Sequence, residues 1–296
     1  MKKIDLHIHT NLSDGSLSPI EVIDKAYKNK VITIAIADHD TIDAYSDELF
    51  NYAKIKNINI ITAVEISTKF NNIGFHVLGY NFDIKNNQLN KRLFMMRNSR
   101  HIYLHDVSKK LNELGYIINV SKLDKIEAVT KAHIASDIID NVNNHRLLIK
   151  TFSHIPTIGE FIETLMNEGS LAYVEKKSIT PNDAAILIKN AGGKVILAHP
   201  VASKYEDDFT EEEILNLLKA MEADGIEANY IYIDKDGRKI NECEKWNKFA
   251  QDNNLITTVG SDFHKEDGIH PTIGLINEDI NLTDDEINTI INNLLN

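Results

Sequence analysis

Residues 4–15 read IDLHIHTNLSDG, in which a short apolar strand pattern ends on two histidines. His7 and His9 are two positions apart, so on an extended strand their side chains leave the same face and can converge on one ion. The next segment, Ser18-Pro19-Ile20-Glu21, offers a hydroxyl for the N-cap, a proline at the first helical position and an acid at the third. The pattern predicts a β-strand and then a helix, with chemistry at the carboxyl end of the strand.

The same alternation of apolar and amphipathic segments occupies both ends of the chain. Apolar runs lie at 4–8, 31–37, 58–64, 75–80, 195–198, 226–228 and 256–259, and helical patterns at 19–29, 43–56, from 181, 211–221 and 238–252. Helix-capping pairs recur at Thr180 with Asp183, Thr210 with Glu213 and Thr283 with Glu286. Short strands that alternate with amphipathic helices predict βα units around a largely parallel sheet.

The middle of the chain has a different rhythm. Helical patterns cover 88–114, 132–150 and 158–168, with few strand candidates between them. We therefore expect an α/β barrel domain built from 1–85 and 179–296, with a helical insertion at 86–178.

Composition narrows the classes of function. The chain has 296 residues and a formal net charge of −12, which argues against a broad basic surface that coats duplex nucleic acid. Cys243 is the one cysteine, so intramolecular disulfides and thiolate zinc clusters are excluded, and histidines and carboxylates must hold any metal. No segment approaches the roughly 18 apolar residues of a spanning helix, and the start lacks a signal-peptide core. These features predict a soluble, cytoplasmic protein without a membrane partner.

Metal-ligand residue types recur where predicted strands end. They are His7, His9, Asp38, His39, Asp40, Glu65, His199, Asp262 and His264, and His76 lies within the apolar run 75–80. A single histidine at a strand end is usually structural, but agreement among several strand ends favours a metal site, because this edge carries the active site in parallel α/β folds. Imidazole and carboxylate donors without thiolate suit Mn²⁺, Fe²⁺ or Zn²⁺. A carboxylate such as Glu65 can bridge two ions.

These residues resemble the PHP family of polymerase-and-histidinol-phosphatase-type phosphoesterases. The matching segments are DLHIHTNLSDG at 5–15, IADHDT at 36–41, AVE at 63–65, FHVLGY at 75–80, KAHIA at 131–135, GGKVILAHP at 192–200 and GSDFH at 260–264. The resemblance implies a distorted seven-stranded (β/α) TIM-like barrel of PHP type with a helical insertion. It also implies two to three divalent ions at the carboxyl ends of the strands.

The family pattern implies a ligand set for each ion. The first set is His7, His9, Glu65 and Asp262; the second is Asp14, His39 and His264; the third is Glu65, His76 and His133. Without the family pattern, His133 would count as a residue on the surface of a helix.

The order of segments resembles the bacterial branch of 5′-to-3′ exoribonucleases and nucleoside-bisphosphate phosphatases. That branch usually shows Arg-Pro-His where this chain has Lys131-Ala132-His133. Lysine is a point charge and not a bidentate fork, so phosphate recognition at Lys131 is expected to differ. The expected reaction is hydrolysis of phosphate esters of nucleotides or oligoribonucleotide 5′ ends by attack of a metal-bound hydroxide. The substrate would be a small nucleotide or a short RNA.

Residues outside the ligand sets have predicted roles as well. His199 is expected to bind the substrate phosphate or protonate the leaving oxygen as a catalytic residue, with a structural role before Pro200 as the alternative. Arg97 and Arg100 share a helix face and are expected to bind a terminal phosphate, with a solvated basic face as the alternative. Asp38 or Asp40 is expected to orient a neighbouring imidazole.

Some choices stay open at the level of sequence. Glu227 is expected to be a solvated or helix-capping carboxylate. The alternative functions are a histidinol-phosphate or other small-metabolite phosphatase, and a metal-binding regulatory module without turnover.

Overall fold

The computed structural model describes residues 2–71, 73–126, 129–175, 178–234, 236–268 and 271–296, with the side chains at 277 and 278 left aside. The strands are β1 Ile4–Ile8, β2 Thr33–Ile36, β3 Asn59–Ile60, β4 Ala63–Phe70, β5 Ile73–Tyr80, β6 Lys194–Leu197, β7 Gly225–Asn229, β8 Tyr232–Ile233, β9 Lys239–Ile240 and β10 Ile256–Val259.

The helices alternate with these strands at both ends of the chain and follow one another in the middle. They are α1 Pro19–Lys28, α2 Asp47–Ile55, α3 Asn87–Glu113, α4 Val120–Leu123, α5 Lys131–Ile139, α6 His145–Phe152, α7 Ile158–Leu165, α8 Pro181–Asn190, α9 Pro200–Glu206, α10 Glu211–Met221, α11 Cys243–Asp252, α12 Ile276–Ile280 and α13 Asp284–Leu295, with a 3₁₀ turn at Val142–Asn144.

The described strands form three sheets, ordered β1-β2-β3, β10-β7-β6-β5-β4 and β8-β9. The pairings of β1 with β2, β2 with β3, β6 with β7 and β7 with β10 are parallel. The pairings of β5 with β4 and with β6 are antiparallel. This is a mixed α/β fold, and three sheets do not by themselves confirm a seven-stranded barrel.

The antiparallel strand β5 differs from the predicted parallel rhythm. It begins at Ile73, directly after β4 ends at Phe70, so the connection is far too short for the crossover that a parallel pair needs. The sequence showed two apolar runs here but did not give their relative direction.

The chain forms two compact units. The first comprises Met1–Arg92 and Ser178–Asn296, and the second comprises Leu93–Lys177. The first contains the sheets and a core in which Leu6, Ala35 and Leu78 are fully buried. The second has a core of its own around Leu104, Leu148 and Phe161, and in its described residues every regular element is helical.

Helix boundaries follow local capping chemistry. The predicted capping boxes at Ser18, Thr180, Thr210 and Thr283 are all formed and are confirmed. Two predicted helices begin later than expected. Helix α2 begins at Asp47 because Ser46 caps it, and α11 begins at Cys243 because Lys239–Ile240 pairs with Tyr232–Ile233 in a hairpin. Across the described ranges, no helix is both long enough and apolar enough to cross a membrane.

Candidate metal centre

The end of β1 brings two imidazoles together. The Nε2 atoms of His7 and His9 lie 3.1 Å apart, and both side chains are fully buried. The N–H of His9 donates a 2.9 Å hydrogen bond to the carbonyl of Phe263, which holds the end of β1 beside the segment that follows β10. Gly15 closes the loop after β1, where a Cβ atom would lie 2.4 Å from the carbonyl oxygen of His9.

A first group of donors surrounds this pair. Glu65 Oε2 lies 3.4 Å from His7 Nε2 and 3.2 Å from His9 Nε2. Asp262 Oδ1 approaches the same two nitrogens at 3.4 and 3.1 Å. One donor atom from each of the four side chains lies within 4.8 Å of the others, so together they could hold a divalent ion.

A second group lies on the other side of His9. Asp14 Oδ1 lies 3.5 Å from His9 Nδ1 and 3.4 Å from His264 Nε2, and Asp14 Oδ2 lies 3.6 Å from His39 Nε2. The rings of His9 and His264 stack with centroids 4.1 Å apart. His9, Asp14, His39 and His264 thus form a second set of converging donors.

A third group forms around the other oxygen of Glu65. Its Oε1 atom lies 2.9 Å from His76 Nδ1 and 3.2 Å from His199 Nε2, and these two nitrogens are 3.3 Å apart. His39 Nδ1 reaches Glu65 Oε2 at 3.1 Å. His39, Glu65 and His76 meet the criterion for converging donors, and His199 lies close enough to join them.

Glu65 is therefore shared by the first and third groups. It lies on β4 and is 1% exposed. A parallel bridge pairs it with His39, which follows β2. Because its two oxygens face different imidazoles, one carboxylate can serve more than one ion.

Burial and charge pairing shift the pKa values of these groups in opposite directions, and which effect is larger differs from group to group. Burial alone would raise the pKa of Glu65, but His76, His39 and His7 hold it well below its usual range. Burial would lower the pKa of His9, but hydrogen bonds to Asp262 and Glu65, together with carboxylate charge, raise it to about 10. Burial does lower the pKa of His39, to about 3. The cluster concentrates donors that are costly to bury without a compensating ion.

Several buried donor atoms support the same conclusion. Among the described residues, the buried atoms Asp14 Oδ1 and His39 Nδ1 have no hydrogen-bond partner of good geometry. Buried polar atoms are normally satisfied by protein, water or an ion. Both the orphaned atoms and the imidazole-carboxylate chemistry fit divalent cations.

Neighbouring carboxylates hold the loops that carry the donors. Asp38 accepts hydrogen bonds from the N–H of Thr10 at 2.6 Å and from Ser13 Oγ at 2.5 Å, so it fixes the loop between His9 and Asp14. Asp40 Oδ1 accepts a 2.9 Å hydrogen bond from the N–H of Ser67. Asp38 reaches an imidazole through Ser13, whose Oγ lies 3.5 Å from His9 Nδ1.

The expectation for Glu227 is wrong. This residue is 1% exposed on β7, and its Oε1 atom lies 3.0 Å from His7 Nδ1. Its Oε2 atom accepts a 3.0 Å hydrogen bond from the N–H of His199. The signal in the sequence was an acid inside the apolar run 226–228, since a carboxylate within a buried strand needs a partner. Tyr230, three residues after Glu227, has its ring 5.5 Å from that of His199, and it was not identified from the sequence either.

Four predicted residues lie in the second unit. His133 is the third residue of α5, and its Nδ1 accepts a 3.1 Å hydrogen bond from the N–H of Thr130 in a capping box. Lys131 Nζ donates to Asn167 Oδ1 at 3.0 Å. Arg97 and Arg100 lie on α3, where Arg100 is 3% exposed and donates to the carbonyl of Val129 at 3.3 Å. Their roles toward metal and phosphate stay predictions.

Curated relatives match most of the chain. It is 33% identical to a 5′-3′ exoribonuclease of Haemophilus influenzae, over 89% of this chain and 90% of that protein. It is 27% identical to the 5′-3′ exoribonuclease Rnm of Escherichia coli, over 88% of this chain and 85% of that one. A 3′,5′-nucleoside bisphosphate phosphatase of Chromobacterium violaceum is 25% identical, over 89% and 88%.

Solved structures share the fold. A chain from Bifidobacterium adolescentis, described as a metal-dependent phosphoesterase, superposes with a TM-score of 0.75 over 99% of this chain and 96% of that one, at 20% identity. An amidohydrolase from Chromobacterium violaceum gives a TM-score of 0.72 over 93% of each chain, at 24% identity. The model of the PHP domain family matches residues 5–229, which contain most of the donors described above. The chain therefore belongs to the PHP domain family.

Proposed function

We propose that this protein is a metal-dependent phosphoesterase that hydrolyses phosphate esters of nucleotides or of oligoribonucleotide 5′ ends. The observation that carries the proposal is the convergence of donor groups on Glu65, whose carboxylate faces His9 on one side and His76 on the other. The named activities of the exoribonuclease and bisphosphate phosphatase relatives support the substrate class. The protein is thus a hydrolase that acts on phosphoric ester bonds.

Two to three ions of Mn²⁺, Fe²⁺ or Zn²⁺ fit these donors best. His7, His9, Glu65 and Asp262 would hold one ion, and Asp14, His39 and His264, with His9 adjacent, would hold another. For a third ion, the 3.2 Å approach of His199 Nε2 to Glu65 favours His199 as a donor with His76, over the acid role expected from sequence. His133 stays a predicted donor to the same ion.

A distorted seven-stranded barrel fits the strand contacts. Two isolated parallel bridges, Ile8 with Phe263 and His39 with Glu65, join the three-stranded sheet to both ends of the five-stranded sheet. They would close a ring through β1, β2, β4, β5, β6, β7 and β10. We also propose that the barrel domain comprises 1–85 and 179–296 and that the helical insertion comprises 86–178.

The protein's own residues prepare the site for phosphate hydrolysis. Bound divalent ions would supply a nucleophile at neutral pH and neutralise charge on the phosphoryl oxygens. Because burial lowers the pKa of His39 to about 3, its imidazole stays neutral and keeps a lone pair for a metal. Asp38 holds the loop that carries Asp14, so the donors are placed before substrate arrives.

The substrate that fits is small and anionic. A net charge of −12 disfavours a protein that grips long duplexes, whereas a terminal phosphate can bind at metal ions and a few cations. Arg97, Arg100 and Lys131 are proposed as those cations. A phosphate group at the end of a short RNA or on a nucleoside belongs to a substrate that is both small and anionic.

The direct test is turnover by metal-stripped protein to which Mn²⁺ is returned. Substrates would be a nucleoside 3′,5′-bisphosphate, a 5′-phosphorylated short RNA and histidinol phosphate, with release of phosphate or mononucleotide measured. We expect Mn²⁺ to restore turnover of the bisphosphate or the RNA. His9→Ala and Asp262→Ala should abolish turnover without loss of helical circular dichroism.

Each other result identifies an alternative. Turnover of histidinol phosphate alone would keep the metal chemistry and replace the substrate class. Full metal occupancy without turnover of any substrate would favour a binding module. Glu222→Gln is a suitable control, because this carboxylate is 85% exposed and pairs only with Lys189 among the described ion pairs.

A further inference from the structure

The carboxylate of Glu227 contacts two histidines of different donor groups. Its Oε1 atom lies 3.0 Å from the Nδ1 atom of His7, and its Oε2 atom accepts a 3.0 Å hydrogen bond from the N–H of His199. The side chains of Glu227 and His7 are both fully buried, so water does not compete for these contacts. The rings of His7 and His199 stack, with centroids 6.0 Å apart.

Each contact fixes a different property of its histidine. A carboxylate accepts hydrogen bonds only, so the Nδ1 atom of His7 must carry a proton, and its Nε2 atom, which faces His9, Glu65 and Asp262, is the nitrogen that would bind a metal ion. At His199 the contact is to the backbone. His199 has a φ of 27°, a conformation that is unfavourable for a residue with a Cβ atom, and the hydrogen bond from its N–H stabilises it.

The surroundings leave room for this carboxylate and for little else. Gly260 lies against it, and a Cβ atom there would stand 2.2 Å from His7 Cβ and 2.5 Å from Glu227 Oε1. A side chain at position 260 would therefore displace Glu227 or His7. Gly260, the first residue of the segment GSDFH, thus leaves the space that the contact between Glu227 on β7 and His7 on β1 needs.

We propose that Glu227 is a positioning residue that orients His7 through its ring and His199 through its backbone, and so sets the geometry of two metal positions with one carboxylate. Outer carboxylates that orient metal-binding imidazoles typically change metal affinity by about 10–100-fold when they are replaced. Since Glu227 contacts two donor groups, its loss should weaken more than one ion.

The test is Mn²⁺ binding by Glu227→Gln, measured by calorimetry and by electron paramagnetic resonance without any substrate. A glutamine oxygen can replace one accepting oxygen, but its NH₂ group cannot accept from the second donor. We expect the Mn²⁺ dissociation constant to rise about 10–100-fold, with loss at more than one ion. The rise in melting temperature that Mn²⁺ produces should shrink in the variant.

Asp224→Asn is the matched control. Asp224 also accepts a backbone hydrogen bond between β6 and β7, from the N–H of Val195 at 2.8 Å, but at the opposite end of these strands. The Asp224→Asn variant should therefore bind Mn²⁺ with the affinity of the wild-type protein. If Glu227→Gln lowers the melting temperature of metal-free and Mn²⁺-loaded protein equally and leaves the affinity unchanged, Glu227 is merely structural and the proposal is wrong.

A measurement on the wild-type protein covers the case in which the variant does not fold. Nitrogen-15 NMR of Zn²⁺-loaded protein labelled at histidine should show His7 protonated at Nδ1 and not at Nε2. The opposite tautomer would overturn the proposal. The role of Glu227 rests on the proposed metal centre. If the wild-type protein binds neither Mn²⁺ nor Zn²⁺, both the metal centre and the role of Glu227 are refuted. If wild type and variant bind metal equally well, only the role of Glu227 is refuted.

Discussion

The carboxylate of Asp5 accepts a 2.8 Å hydrogen bond from the backbone N–H of Gly274, which lies 269 residues further along the chain. Its other oxygen accepts from the N–H of Ser261 at 3.0 Å. Asp5 is fully buried, and burial raises its pKa to about 6. The first strand thus holds both ends of the segment that carries Asp262 and His264.

Replacing Asp5 should therefore disturb the metal centre as well as the fold. In Asp5→Asn the amide nitrogen cannot accept from one of the two N–H groups, and a buried unsatisfied donor costs about 1–3 kcal/mol. We expect the free energy of unfolding of the metal-free protein to fall by that amount, together with weaker Mn²⁺ binding. Urea unfolding and calorimetry measure the two effects. Asp183→Asn, on an exposed helix cap, is the control, and an equal loss in both variants would contradict the prediction.

Tyr45 supports the junction between β2 and β4. Its hydroxyl donates a 2.6 Å hydrogen bond to the carbonyl of Ile36 and accepts a 2.7 Å hydrogen bond from the N–H of Ala63. Tyr45→Phe would leave both backbone groups buried and unpaired, so we expect a loss of about 1–3 kcal/mol in unfolding free energy.

Chemical denaturation with a matched control checks the Tyr45 prediction. Tyr205 also donates through its hydroxyl, to Glu242 at 2.8 Å, but its side chain is 44% exposed, so Tyr205→Phe should cost far less. Comparable losses in the two variants would show that the hydroxyl of Tyr45 does not brace the two strands.

The donors that the sequence revealed share a simple geometric cause. Alternation along a strand placed His7 and His9 on one face, and their Nε2 atoms lie 3.1 Å apart. The close approach of strand ends in an α/β sheet was enough to expect Glu65 and Asp262 nearby. Capping pairs such as Thr180 with Asp183 depend only on neighbours in the chain, and so they were predictable as well.

What the sequence did not reveal depends on contacts between distant segments. The place of His199 beside His76 follows from the antiparallel pairing of β5 with β6, a direction that apolar runs do not encode. The partner of Glu227 is His7, 220 residues away. A buried strand acid is visible in sequence, but the imidazole that it orients is visible only in three dimensions.

Glu65→Gln should be the most damaging single replacement in the centre. The variant keeps the size of the side chain but removes the negative charge that faces His7, His39 and His76. Replacing a residue that orients a ligand typically lowers metal affinity by up to about 100-fold. We expect Glu65→Gln to lower Mn²⁺ affinity by more than that, and phosphoesterase turnover to be lost with it. Metal analysis after dialysis checks this outcome, and retention of the wild-type metal content would refute the shared role of Glu65.

Metal binding should release protons and strengthen as the pH rises. The pKa of His9 is raised to about 10 by hydrogen bonds to Asp262 and Glu65, against the opposing effect of burial, so at pH 7 the metal-free imidazole is protonated. A metal ion must displace that proton from a donor nitrogen. Each proton released raises the apparent affinity about tenfold per pH unit.

Calorimetry in buffers of different ionisation enthalpy measures the number of protons released. We expect the observed heat at pH 7 to depend on the buffer, and the apparent Mn²⁺ affinity to rise between pH 6 and 8. The sign follows from His9, because a donor whose metal-free pKa lies above the working pH loses a proton on binding. Asp262, whose pKa is held far below its usual range by His7 and His264 despite burial, is already ionised and contributes no proton. A heat that is identical in all buffers would show that His9 is not a donor in the metal-bound state.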